Sequence, residues 1–198
     1  MVRCSRSVGV AIRAPRDAID HGIFLVPEDR KRSGLVLDSP VNENISLANL
    51  AAFAPRLLIR TGAERRNATD RSAALDIRTA SIDTLVGTLS GGNQQKVVLA
   101  KWLSMTPKVV IFDEPTRGID VGSKSAIYKL MRALADSGVA VLMISSDMEE
   151  VIGVSDRIVV MREGRIGGFL ARPEFSEENV MRLAVGREDL QAAEAVSC

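Results

Sequence analysis

Asp113 and Glu114 stand side by side at the end of the apolar run Val109-Val110-Ile111-Phe112. Two carboxylates at the C-terminal end of a buried strand sit where open α/β sheets bind their ligands. One can hold Mg²⁺, and its neighbour can orient or deprotonate a water for attack on a phosphoryl group. A solvated strand end is the plainer reading of such a pair. Pro115 counts against it, because it fixes the turn immediately after the carboxylates.

A second feature precedes the first. Leu89-Ser90-Gly91-Gly92-Asn93-Gln94-Gln95-Lys96 leads into the apolar stretch Val97 to Leu103. A Ser and two glycines sit where a helix begins. Glycines let a ligand approach the backbone, and the first turn offers free N–H groups and the positive end of the helix dipole. The block suits a phosphate, and it reads equally as a Ser N-cap with a glycine turn. Gly92 and Asp113 are 21 positions apart, one helix and one strand, so the two features lie on neighbouring elements. Together they are far more specific than either alone.

The elements that must position these residues follow from the pattern of apolar runs. Val8 to Ile12 reads as a short strand, Pro15 to His21 as a short helix with Pro near its start, and Ile23 to Val26 as a buried strand. A charged loop, Pro27 to Gly34, follows. Helical character then runs from Val41 to about Ile77, with breaks expected at Pro55 and at Thr61-Gly62. Ser90 to Met105 reads as a helix, Val109 to Phe112 as a strand, Ser123 to Asp136 as an amphipathic helix, and Val139 to Ile144 as a buried strand. The amphipathic helix presents Ala126, Ile127, Leu130, Met131 and Leu134 on one face. Asp147 to Ile152 reads as a short helix. Arg157 to Met161 and Arg165 to Leu170 form a hairpin around Glu163-Gly164. Apolar strands separated by helices imply an α/β fold with a mostly parallel sheet covered on both faces. The helical stretch before Ser90 reads as a subdomain inserted into that core.

Composition narrows the function classes. Of 198 residues, 26 are Lys or Arg and 25 are Asp or Glu, so the net charge is +1. That balance disfavours a nucleic-acid partner, and the seven aromatics are too few for a base-stacking surface. The single histidine, His21, excludes a His-rich metal site. The two cysteines, Cys4 and Cys198, are too few for a disulfide framework, which points to a reducing cytoplasm. The longest apolar run is about a third of a spanning helix.

LSGGNQQKVVLAKWL followed by VVIFDEPTRGIDVGSKSAIYKLM resembles the ATP-binding cassette ATPases of ABC transporters, the first block matching their signature motif and the second their Walker B strand and D-loop. The finer resemblance is to the second, C-terminal cassette of the tandem ATPases of bacterial monosaccharide importers of ribose, xylose and galactose type. It is carried by GIFLVPEDRKRSGLVLDSPVNENISL at 22–47, by the two blocks above, by ISSDMEEVIGVSDRIVVMREGRI at 144–166 and by EENVMRLAVG at 177–186. It covers the chain from about Gly9 to Gly186. The fold it implies is a P-loop NTPase-like ABC ATPase core with a helical subdomain over approximately 41–105.

The resemblance also implies roles. Ser90, Gly91, Gly92, Asn93 and Gln94 would contact an ATP held mainly by an opposing cassette. Asp113 would be the Mg²⁺ residue and Glu114 the catalytic carboxylate. Asp120 would be the D-loop aspartate that crosses to the partner. Glu28 stands where most cassettes carry the Q-loop glutamine, and Ser146 where most carry the switch histidine. Second cassettes of this branch often show both changes. Read without the family, Glu28 is a solvated carboxylate paired with Arg30 or Lys31. Ser146 also reads as a helix N-cap, with Glu149 completing a capping box.

A cassette ATPase needs a phosphate loop, G-x-x-x-x-G-K-[ST], and these residues contain none. Gly118 to Ser125 is a near match, but only three residues separate its glycines and a Ser stands before the Lys. The expectation is therefore a partial nucleotide-binding domain, N-terminally truncated, with its first strand and phosphate loop missing and inactive by itself. A non-catalytic fragment or docking module that supplies a signature motif to an intact cassette is the alternative. Repair ATPases of this type insert long coiled coils between the Q-loop and the signature. Glu28 and Leu89 are 61 positions apart, which fits a transporter instead. The implied cofactors are ATP and Mg²⁺. The implied partners are a second cassette, transmembrane permease subunits and, indirectly, a sugar-binding protein. The implied place is the cytoplasm, peripheral on the inner face of the bacterial membrane.

Overall fold

The computed structural model describes residues 9–54 and 58–186. They form two compact units that divide between Ile144 and Ser145.

The first unit opens with residues 9–13 in no regular element. The strand expected at Val8 to Ile12 is therefore absent over its described part. Val10 and Ile12 are both about half exposed and no neighbouring strand pairs with them, so the apolar run has nothing to bury against. Helix α1 spans Pro15–Asp20 with Pro at its first position, where the missing N–H costs nothing. Strand β1 is Ile23–Val26. The charged loop after it holds a π-helical turn, Arg30–Gly34, capped by Asp29, whose side chain accepts from the Lys31 and Arg32 N–H groups.

Three helices follow: α2 at Val41–Ser46, the short α3 at Leu50–Phe53, and α4 at Thr61–Ala74. The break expected at Thr61-Gly62 is instead the start of α4. Glycine is cheap in a first turn, whose N–H groups have no intrahelical acceptor anyway. The break expected at Pro55 lies outside the described residues. Helix α2 packs on α4 and also on α5, Gly91–Leu103. The buried Ser46 hydroxyl donates to the Glu64 carboxylate across the α2–α4 contact.

Strand β2 is Val109–Asp113, helix α6 is Val121–Asp136, and strand β3 is Ala140–Ile144. The sheet order is β1-β2-β3, all parallel, with Val26 opposite Phe112 and Asp113 opposite Ile144. Alternation puts Phe24, Val26, Val110 and Phe112 on one face, all buried. That face shares one continuous core with Val97 to Ala100 of α5 and with Ile127, Met131 and Leu134 of α6. The same core reaches Val41, Ile45 and Ala68 of the helical stretch. Leu25, Leu142 and Ile144 lie on the opposite face and remain about half exposed.

The second unit holds α7 at Met148–Val154, strands β4 at Arg157–Arg162 and β5 at Arg165–Ala171, and α8 at Glu177–Val185. The hairpin turn is Glu163-Gly164, both at positive φ, the conformation whose twist matches a two-residue hairpin. Ile158, Val160 and Leu170 form its core against α7 and α8.

Candidate functional site

Ser90 is the N-cap of α5. Its hydroxyl accepts from the Asn93 backbone N–H and from the Asn93 side-chain amide at 3.0 Å. The Asn93 side-chain oxygen Oδ1 in turn accepts from the Arg78 N–H at 2.9 Å. Gln94 is buried. Its amide donates to the Val86 carbonyl at 3.2 Å, and its oxygen accepts from Arg30 Nε at 3.4 Å. These two side chains therefore brace the start of α5 from within the chain. Ser90 itself is exposed, and the first-turn N–H groups of Gly91 and Gly92 have no intrahelical acceptor.

Both glycines stand where a neighbour comes close. A Cβ on Gly91 would lie 2.6 Å from Arg30 Nη2, and one on Gly92 would lie 2.8 Å from the Ser123 side chain. The block is glycine-rich because α5 starts hard against the start of α6 and the loop after β1. That packing requirement holds whether or not a ligand is present.

Asp113 ends β2, in register with Ile144 of β3. Glu114 follows at φ +44°, a left-handed conformation that costs a non-glycine residue about 1–3 kcal/mol. The strain is held from two sides. The Glu114 N–H donates to the Ile144 carbonyl at 2.9 Å, and the Glu114 carbonyl accepts from the Arg117 N–H at 3.1 Å. Pro115 and Thr116 behind it are buried. Backbone tied in this way fixes the direction in which the Glu114 Cα–Cβ bond leaves the sheet edge.

The turn then runs to Asp120, the N-cap of α6, whose carboxylate accepts from the Ser123 N–H at 2.9 Å. The Ser123 hydrogen bonds hold the Asp120 carboxyl below the usual carboxylate range. Glu28, exposed in the loop after β1, pairs with Arg117. The pairing with Arg30 or Lys31 does not occur. Lys31 lies in the π-turn, and the Arg30 guanidinium is engaged elsewhere, with Gln94 and with the Arg117 and Gly118 carbonyls.

Ser90 to Gln94, Glu28, and the segment Asp113 to Asp120 are thus joined within the first unit. Ser146 belongs to the second unit, is exposed, and lies one residue before the cap of α7. The N-cap expected at Ser146 falls instead on the next residue. Asp147 is the N-cap and accepts from the Glu150 N–H, while the Ser145 hydroxyl donates to the Glu150 carboxylate. Burial of Glu150 selects this frame over the overlapping one.

Two side chains escaped the sequence reading. Arg30 was hidden in a charged run, Glu28 to Arg32, that looks like solvated surface. Lys101 is buried in α5 and donates to the Gly34 carbonyl, so it clamps the end of the same loop. Burial lowers the Lys101 pKa below the ordinary lysine value. The sequence signal for Lys101 was a lysine within the otherwise apolar stretch Val97 to Leu103.

Among the described residues no group of three or more His, Cys, Asp or Glu could hold a metal ion. Mg²⁺ needs no such cage. It binds through one or two carboxylates and completes its shell with phosphate oxygens and waters. Asp113, half-buried at the strand end, fits that requirement. No helix among the described residues is long and apolar enough to cross a membrane.

Comparison with known proteins bears on the family and the fold. The ribose import ATP-binding protein RbsA of Chelativorans sp. (strain BNC1) is 49% identical over 182 residues, 92% of this chain and 36% of that relative. Ribose import ATP-binding protein RbsA 2 of Streptomyces avermitilis is 52% identical over 174 residues, 88% of this chain and 34% of the relative. The chain spans about a third of the length of the curated relatives it matches. Among solved structures, MJ1267, an ATP-binding cassette of an ABC transporter, superposes with a TM-score of 0.71 at 21% identity, over 88% of this chain and 72% of that one. The cbiO1 chain of Clostridium perfringens, part of the ABC transporter complex cbiONQ, superposes at 0.66 with 26% identity, over 85% and 66%. The α/β fold with its parallel sheet is that of the ABC ATPase cassettes. The family model described as ABC transporter matches residues 14–117, more than half of the sequence, and the chain belongs to that family.

Proposed function

We propose that this chain is an ATP-binding part of a bacterial sugar importer, of the second-cassette type, and that it presents its Ser90 block to an ATP held by an opposing cassette. The observation that carries the proposal is the joining of Ser90-Gly91-Gly92 to the 117–120 turn and to Glu28 through Arg30 and Arg117. The identity of about 50% to ribose import ATP-binding proteins supports the substrate class. Residues 41–105 would be the inserted helical subdomain.

In this reading the exposed Ser90 hydroxyl and the free first-turn N–H groups receive a phosphate oxygen. The helix dipole favours the negative charge there. Asp113 would hold Mg²⁺, which screens phosphate charge when bound. Glu114 would take a proton from an attacking water at this chain's own sheet edge, aided by its fixed direction. Ser146 can donate a hydrogen bond to a phosphate but cannot carry the positive charge of an imidazolium. These 198 residues carry no phosphate-loop string, so the proposal assigns the main grip on the nucleotide to residues outside them. The partners would be that second cassette and a permease at the cytoplasmic face of the membrane.

The proposal predicts that the chain alone hydrolyses ATP little or not at all. It also predicts association with a phosphate-loop-bearing cassette only when Mg-ATP is present, measured by sedimentation velocity. Robust hydrolysis by the chain alone, abolished in Glu114→Gln, contradicts it. So does association that ignores the nucleotide.

A further inference from the structure

Arg30 opens the π-turn after β1 and is half-buried. Its guanidinium reaches three acceptors on two other segments. Nε donates to Gln94 Oε1 at 3.4 Å, Nη1 to the Arg117 carbonyl at 3.2 Å, and Nη2 to the Gly118 carbonyl at 3.4 Å. Arg117 returns the connection by pairing with Glu28. Three contacts thus tie the loop to the turn, two from Arg30 and one returned by Arg117, and a fourth ties the loop to α5.

Gly91 completes the arrangement. A Cβ at this position would meet Arg30 Nη2 at 2.6 Å and the Gly118 carbonyl at 3.3 Å, so the flexible end of Arg30 would have to shift away from its carbonyl acceptors. The space beside the Gly91 backbone is filled by the guanidinium. Lysine could not substitute. Its ammonium is a compact charge without the planar fork that reaches three separated acceptors.

We propose that Arg30 is a positioning residue that fixes the start of α5 against the 117–120 turn, and that position 91 is glycine to admit its guanidinium. Ser90 and Asp120, the exposed caps of α5 and α6, then keep a set spacing. For its bearing on activity the inference rests on the function proposed above. Its geometric content stands without that function.

The test uses the full chain, with amide exchange read residue by residue. Arg30→Lys is expected to speed exchange at Gln94, Ile119 and Ser123 by at least about tenfold, through easier local opening, while the amides of α8 stay as they are. Gly91→Ala is expected to lower the urea midpoint of the parent chain, and to lower it by less than half as much in an Arg30→Ala background. Unchanged exchange in Arg30→Lys overturns the proposal, as does an equal cost of Gly91→Ala in both backgrounds. If Arg30→Ala fails to fold, the exchange of Arg30→Lys decides alone. In a mixture with a cassette bearing a phosphate loop, Arg30→Lys should lower kcat and leave the KM for ATP unchanged. A change in KM alone contradicts positioning. No hydrolysis with the parent chain sinks the proposed function and leaves the exchange result to judge Arg30.

Discussion

Ser90 and Asp120 each serve the fold and, in the proposed function, a partner. As N-caps they satisfy first-turn donors of α5 and α6. Ser90→Ala should cost about 1 kcal/mol of stability by loss of the cap, read from the urea midpoint. The Asp120 carboxyl lies below its ordinary value because Ser123 hydrogen-bonds its charged form. A depressed carboxyl contributes stability that is complete above the unfolded value and is lost as pH falls through the folded one. Unfolding followed between about pH 5 and pH 2 should show that loss in the parent chain and less of it in Asp120→Asn. An equal pH dependence in the two chains contradicts this assignment. The placement of Asp113 and Glu114 at the end of β2 was legible in the sequence, since the apolar run Val109 to Phe112 marks the strand that carries them. Arg30 was not, because its acceptors are backbone carbonyls 87 and 88 positions away.

The elements were legible where periodicity and burial agree. Strand β2 reads from Val109 to Phe112 because both its faces are apolar, and α6 reads from its buried Ile127, Met131 and Leu134. Phe112→Ala should cost about 3–5 kcal/mol, since the ring is fully buried between sheet and helices. Legibility failed where a pattern had two frames or no partner. The Ser146–Glu149 and Asp147–Glu150 frames look alike in sequence, and only the burial of Glu150 separates them. Asp147→Ala should therefore weaken the second unit by about 1 kcal/mol, read from its urea midpoint. An unchanged midpoint would contradict the cap at Asp147. The apolar run before α1 looked like a strand, but its described residues pair with neither edge of β1-β2-β3, and an apolar run alone does not supply a pairing partner.

At the scale of the whole molecule, one face of the first unit's parallel sheet carries exposed apolar side chains. Leu25, Leu142 and Ile144 are about half exposed, and among the described residues β3 pairs only with β2. Exposed apolar patches and unpaired strand edges promote association. The isolated chain should self-associate at micromolar concentration, and Leu142→Lys should weaken that association several-fold in sedimentation equilibrium. The most direct measurement of the central claim is ATP hydrolysis by an equimolar mixture of this chain with a cassette that carries a phosphate loop but whose own Ser-Gly-Gly block is disabled. The account predicts hydrolysis well above that of either protein alone, lost when this chain carries Ser90→Arg. No stimulation, or stimulation that survives Ser90→Arg, contradicts it.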